Sequence, residues 1–146
     1  RLGKAHVFGA ETTLQGAEDI PTRLREINKG LLADVVVVST GAASAQLQAM
    51  KSVERSGTIL FFAPTAPGVT IPVSINEFFF RNDITLTTSY AGSPADYQTA
   101  LELIRAGNLP VRDMITHLLP LSEVGKGFQL VAEAKDSIKV IIEPQK

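Results

Sequence analysis

The sequence predicts an α/β fold, a parallel sheet with helices packed against it, and three observations predict it. Residues 33–38 (ADVVVV) and 58–63 (TILFFA) are apolar runs without polar alternation. That is the pattern of strands covered on both faces of a parallel sheet. Helix-period stretches alternate with these runs, which is how a chain builds parallel strands through right-handed crossovers. Finally, the valine run ends in Ser39, Thr40 and Gly41 and opens directly into a helix. Open α/β sheets bind ligands in the crevice at such carboxyl-terminal strand ends, where small residues let the backbone approach closely. A buried strand followed by an ordinary turn would read the same way, and both readings stand at this point.

The totals set the frame. The 146 residues carry a formal net charge of -1, with 45% hydrophobic and 20% charged residues, the composition of an ordinary globular domain with a real core. A pI near 6.1 and no dense Lys/Arg cluster argue against a nucleic-acid or anionic-membrane partner, so a small molecule is expected. With no cysteine there is neither disulfide nor thiolate metal site, which fits a cytoplasmic protein. No apolar run approaches the roughly 20 residues that span a bilayer, and the start, RLGKAHVFGAE, has no secretory h-region. Because the chain starts at Arg1 and not at Met, we expect the natural protein to extend upstream.

Taken in order, residues 2–9 predict the tail of a helix, a break at Leu2-Gly3, and a short strand AHVF (5–8). Asp19 and Pro21 start a helix whose apolar stripe is Ile20, Leu24 and Ile27, and Gly30 stops it. The valine run is expected to be a central strand. After it, Ala43, Leu47 and Met50 give a helical stripe ending near Glu54, and Ser56-Gly57 turns the chain into TILFFA. The Pro-rich stretch 64–72 is a loop over the same crevice. Ser74 and Glu77 form a capping-box pattern for a short helix through Phe80, and 84–89 (ITLTTS) is a strand. Ser93, Pro94 and Asp96 start a helix with Tyr97, Ala100, Leu101 and Ile104 on one face, ended by Gly107. Residues 114–119 are extended, Ser122 caps a helix carrying Val124, Phe128 and Val131, and 138–142 (IKVII) is the closing strand.

Self-contained catalysis finds no support in the residues. His6 and His117 have no metal-ligand partner at helical spacing, so both are expected to be structural. There is no G-x-S-x-G elbow and no Walker loop. Gly125-Lys126-Gly127 lies inside a predicted helix without a third glycine, which rules it out as a phosphate loop. What remains is a slot formed by Ser39, Thr40 and Gly41 after one strand, Phe62, Ala63 and Pro64 after the next, and Thr88 to Ala91 after a third. It suits a flat, partly apolar ligand. Lys139 would supply a cation for such a ligand's phosphate, although a lone Lys is usually a solvated charge. Phe78, Phe79 and Phe80 are too many for one short helix to bury, so at least one is expected to face a partner domain or subunit.

The ordered set of segments ADVVVVSTG, SGTILFFA with its Pro-rich loop, FFFRNDITLTTSYAGS, YQTALELIRAGNL, MITHLLPLSEVGKGF and SIKVIIEP resembles the medium-chain dehydrogenases of the zinc-dependent alcohol, sorbitol and threonine dehydrogenase type. The likeness covers essentially the whole chain. It implies hydride transfer between an alcohol or polyol and NAD or NADP bound in a Rossmann domain. By that resemblance Ser39, Thr40, Gly41, Phe62, Ala63, Pro64, Thr88, Ser89 and Tyr90 match nicotinamide-side contacts, and Lys139 a pyrophosphate contact. Pro64 and Ser89 would also border the substrate.

The same resemblance implies that the zinc ligands, the proton relay, the G-x-G-x-x-G turn and the ribose-binding acid lie upstream of Arg1, so that no catalytic and no metal-ligating residue is expected within the chain. The implied organisation is a partial Rossmann domain over 1–90, holding strands 3 to 6 of the order 3-2-1-4-5-6, and over 91–146 a carboxyl-terminal segment that returns to the catalytic domain. AHVF would be strand 3, and ADVVVV, as strand 4, would have an open edge. Unpaired apolar strands are aggregation-prone, so that edge is expected to be covered by the upstream half, an associated fragment or a second copy. The family also implies a homo-oligomer through ITLTTS. Two alternatives remain: a zinc-free relative of the quinone or enoyl reductase type, and a non-catalytic scaffold fragment.

Overall fold

The computed structural model describes all residues, Arg1–Lys146, as an α/β chain of five parallel-paired strands with flanking helices. Two compact units are present: Leu14–Ala91, and Arg1–Thr13 together with Gly92–Lys146.

In the unit Leu14–Ala91, strands β1 (Ala33–Val38), β2 (Val53–Phe61) and β3 (Thr85–Thr88) form a parallel sheet in that order. Helix α2 (Ile20–Ile27) begins at Asp19 with Pro21 in its first turn, as the sequence predicts, and its end is followed by Lys29 and Gly30 in the left-handed region. The register places Val36 beside Ile59 and Leu86, and Val38 beside Phe61 and Thr88. Because side chains alternate across a strand, this set shares one face. Helix α3 (Ala43–Ser52) covers that face, and Val38, Ala49, Val53, Ile59 and Ile84 form the buried core with Val36, Met50, Phe61, Phe78 and Leu86 packed on it.

Several expectations fail here for identifiable reasons. The valine run is an edge strand and β2 is the central one. Neither run is buried on both faces: Val35 and Val37 are 63% and 56% exposed, since α3 covers the other side. On α3 the inward residues are Gln46, Ala49 and Ser52, while Leu47 is exposed. β2 starts at Val53, five residues before the predicted TILFFA, because a bulge interrupts its pairing with β1 between Ala33 and Val35. Gly57 lies in that bulge, where a Cβ would stand 2.8 Å from the Glu54 carbonyl oxygen and 2.9 Å from that of Asp34. Only glycine fits there. The Glu54 carboxylate closes the bulge by accepting from the N–H groups of Leu32 at 2.8 Å and Arg55 at 3.0 Å.

The helix predicted through Phe80 is a single π-helical segment, Asn76–Arg81. Ser74 Oγ accepts from the Glu77 N–H at 3.3 Å, one half of the predicted capping box. Phe78 joins the core, whereas Phe79 and Phe80 are exposed.

In the other unit, the expected strand AHVF is instead helix α1 (Leu2–Val7). A lone strand without a neighbour leaves its N–H and C=O groups unpaired, and a helical turn satisfies them locally. The assignment of strand 3 to this segment is therefore wrong. His6 is structural: Nδ1–H donates to the Ala10 carbonyl at 2.8 Å, leaving Nε2 to accept from the Thr13 hydroxyl at 3.0 Å. Helix α4 (Pro94–Arg105) has the full reciprocal capping box between Ser93 and Asp96. Asp96, accepting from both the Ser93 hydroxyl and the Ser93 N–H, is held below the ordinary carboxylate pKa.

Strands β4 (Ile115–Pro120) and β5 (Lys139–Glu143) pair in parallel, and α5 (Val124–Glu133) lies on them. Ser122 does not cap α5. It sits in a 3-10 turn, Leu121–Glu123, that leads into the helix. The inward residue of α5 is Gly127, where a Cβ would meet Ile142 Cδ1 at 3.0 Å; Phe128 and Val131 are exposed. The second glycine of Gly125-Lys126-Gly127 thus permits close helix–sheet packing and has no part in a phosphate loop.

Candidate functional site

The parallel sheet of Leu14–Ala91 ends all three strands on one side, and backbone hydrogen bonds tie those ends together. The Val38 carbonyl at the end of β1 accepts from the N–H groups of Phe62 at 3.0 Å and Ala63 at 3.2 Å. The Ser89 N–H, just past β3, donates to the Phe61 carbonyl at 3.5 Å. Gly41 completes the join: a Cβ there would lie 2.3 Å from the Pro64 carbonyl oxygen. The turn after β1 and the loop after β2 can therefore meet only because residue 41 has no side chain.

A cavity of about 490 Å³ opens beside β2 and β3 at this end. Phe62, Ala63, Pro64, Thr88, Ser89 and Tyr90, six of the residues singled out from the sequence, line it. Size and lining fit a small-molecule site. Tyr90 is the one titratable side chain in the lining. Ser39 and Thr40 lie on a separate cavity of about 350 Å³ along the open edge of β1, together with Ile20, Leu24 and Ala45. Thr40 Oγ1 accepts from the Ala42 N–H at 3.4 Å, ordering the turn into α3. Lys139 belongs to the other unit, where it is the exposed first residue of β5.

Several lining residues escaped the sequence reading. Val69, Ile71 and Val73 supply an apolar wall from the loop, and Gln46 and Met50 supply a floor from α3. The loop wall was legible in principle, because apolar residues at every second position in a Pro- and Gly-rich stretch imply one covered side. Gln46 was not legible: it is 5% exposed, an unusual burial for a glutamine, and it is the one amide in the lining. No group of three His, Cys, Asp or Glu side chains comes together in a way that would hold a metal ion. No helix is long and apolar enough to cross a membrane.

Residues 1–106 match the family described as zinc-binding dehydrogenase. The chain is 30% identical over 145 residues to erythritol/L-threitol dehydrogenase of Mycolicibacterium smegmatis, covering 99% of this chain and 39% of that protein. It is 27% identical over 146 residues to sorbitol dehydrogenase of Halalkalibacterium halodurans, covering 99% and 41%. Among solved structures, an NAD-dependent alcohol dehydrogenase superposes with a TM-score of 0.80 at 26% identity, over 97% of this chain and 40% of the other. The chain thus spans about two fifths of the length of these relatives, in keeping with the carboxyl-terminal part of such an enzyme. The 146 residues belong to the zinc-binding dehydrogenase family.

Proposed function

We propose that this chain is the nicotinamide-side part of an NAD- or NADP-dependent dehydrogenase acting on a small alcohol or polyol. The cavity at the carboxyl-terminal strand ends carries the reading, because six of the ten residues named from the sequence line it and Gly41 allows the close backbone approach beside it. The polyol class is supported by the relatives that oxidise erythritol, threitol and sorbitol by name.

A bound nicotinamide cofactor supplies the hydride chemistry. The chain's own part is to hold and exclude: Phe62, Pro64 and Tyr90 flank the space with apolar surface, Thr88 and Ser89 offer hydroxyls, and Ser39 and Thr40 border the neighbouring turn. Lys139, which lies in the other unit, enters this reading by the resemblance alone. In this reading residues 1–90 are assigned to the cofactor domain and 91–146 to the returning segment, although Arg1–Thr13 groups with the latter. The donor set here does not fit zinc, since no three ligands converge, so the metal is supplied by residues outside this chain. The free edge of β3 suits pairing with a second copy, and a cytoplasmic location, which the lack of cysteine fits, is part of this reading.

The test is to express the complete reading frame that encodes this chain and assay a panel of polyols and simple alcohols with NAD and with NADP. Reduction of either cofactor with a sugar alcohol is the expected result; none across the panel overturns the reading. Light scattering that finds a strict monomer would remove the oligomer from it.

A further inference from the structure

We propose that the amino-terminal end of the same three-stranded sheet is a second, distinct binding site, for a small phosphomonoester with an apolar body. The proposal does not depend on the cofactor reading. A cavity of about 370 Å³ lies there, opposite in the sheet to the strand ends described above. Its floor is apolar and deep: Leu32, Val53 and Ile84 are buried, with Met50 and Phe78 half-buried beside them. Its rim carries three cations, Arg25, Lys51 and Arg55, and two carboxylates, Glu54 and Glu77.

The charges are not evenly engaged. Glu54 is held by two backbone N–H groups, and it stays ionised because those bonds, with smaller help from Arg25 and Arg55, hold its carboxyl below the ordinary range. Glu77 pairs with Arg81 at 3.7 Å. None of Arg25, Lys51 and Arg55 enters an ion pair; Arg55 makes only a long bond, 3.4 Å, to the Arg81 carbonyl. Both acids have partners of their own, whereas the three cations form no ion pair, although Arg25 and Arg55 stand near enough to Glu54 to favour its charge. A dianion beside two guanidinium groups and an ammonium gains charge-assisted hydrogen bonds, and an apolar body attached to it would cover the floor.

Lys29 before β1, Ser56 in the β2 bulge and Asp83 before β3 all have φ between 54° and 57°, a left-handed conformation uncommon for non-glycine residues. The Ser56 N–H donates to the Asn82 carbonyl at 2.8 Å, joining two of these entries.

Phenyl phosphate is the probe, titrated into the isotope-labelled chain and followed by amide chemical shifts, with inorganic phosphate and benzoate as parallel arms. Saturable shifts confined to residues around Glu54, Arg55 and Asn82 are expected, with binding at least about tenfold tighter than either control. Lys51→Gln with Arg55→Gln, both on exposed side chains, should weaken it about tenfold or more while leaving the spectrum otherwise unchanged; if the pair disturbs the fold, each single change should weaken it in part. Absence of saturation, equal binding of inorganic phosphate or benzoate, shifts elsewhere, or indifference to these substitutions would each overturn the proposal. So would loss of phenyl phosphate binding in the complete reading frame, which would mean that other residues fill the cavity. NADH should not displace the probe, which separates this site from the cofactor reading.

Discussion

Val37 and Val38 are neighbours in one strand, yet Val37 is 56% exposed and Val38 only 5%. They face opposite sides of the same three-stranded sheet. On the Val38 side, α3 and the π-helical segment close a core around Ile59, which is wholly buried. On the other side Val35 and Val37 stand bare, with Leu60 partly covered and Thr85 and Thr87 exposed. The difference teaches that a continuous β-branched run reports the surroundings for which a strand is built, not those that one stretch of chain supplies. The bare face belongs to a chain that spans about two fifths of its relatives.

The sharpest way to break this contrast is a pair of substitutions. Ile59→Ala should lower the unfolding free energy by about 2–5 kcal/mol, since it opens a cavity in the closed core. Val37→Thr keeps the β-branched shape on the bare face and should change it by roughly 0.5 kcal/mol or less. Urea denaturation at constant m reads both. In the complete reading frame the Val37→Thr cost should rise well above that figure. An unchanged cost would show that nothing covers this face.

Next in size is Gly57→Ala, which forces a Cβ to within 3 Å of two carbonyl oxygens and should destabilise by about 1–3 kcal/mol. It tests whether the bulge that sets the β1–β2 register is obligatory. In the other unit, Ser93→Ala removes the cap of α4 and should cost about 1 kcal/mol.

The smallest effect is one of pH. The depressed pKa of Asp96 means that its contribution is fully present above the ordinary value of 3.8 and is lost as pH falls through the lower folded value. An acid titration of Ser93→Ala should therefore show a shallower loss of stability below about pH 4 than the parent chain. Equal slopes would show that the capping box does not stabilise the ionised carboxylate.

How much was legible follows the same division. Features written in local chemistry read directly from the sequence: Asp19 with Pro21, the Ser93–Asp96 box, the helix ends at Gly30 and Gly107, and the two apolar runs as strands. Features decided by what lies across the interface did not. AHVF has strand-like residues but no strand to pair with, and folds as a helix turn. α3 turns Gln46 and not Leu47 inward, because the cavity and the sheet decide its face, not hydropathy. The start of β2 was missed because Glu54 and Gly57, a charge and a glycine, build a bulge that propensity scores as a turn. At the candidate site the strand-end residues were legible by topology, whereas the α3 floor was not, since helix and strand ends meet only in three dimensions.

The most direct test of the central claim is a fluorescence titration of NADH into the complete protein and its Gly41→Val variant. The crevice at the carboxyl-terminal strand ends predicts saturable binding by the parent, roughly micromolar, and at least about tenfold weaker binding by the variant, because a side chain at residue 41 drives the Pro64 loop off the β1 turn. Undiminished binding by Gly41→Val, or no saturable binding by the parent, would contradict it.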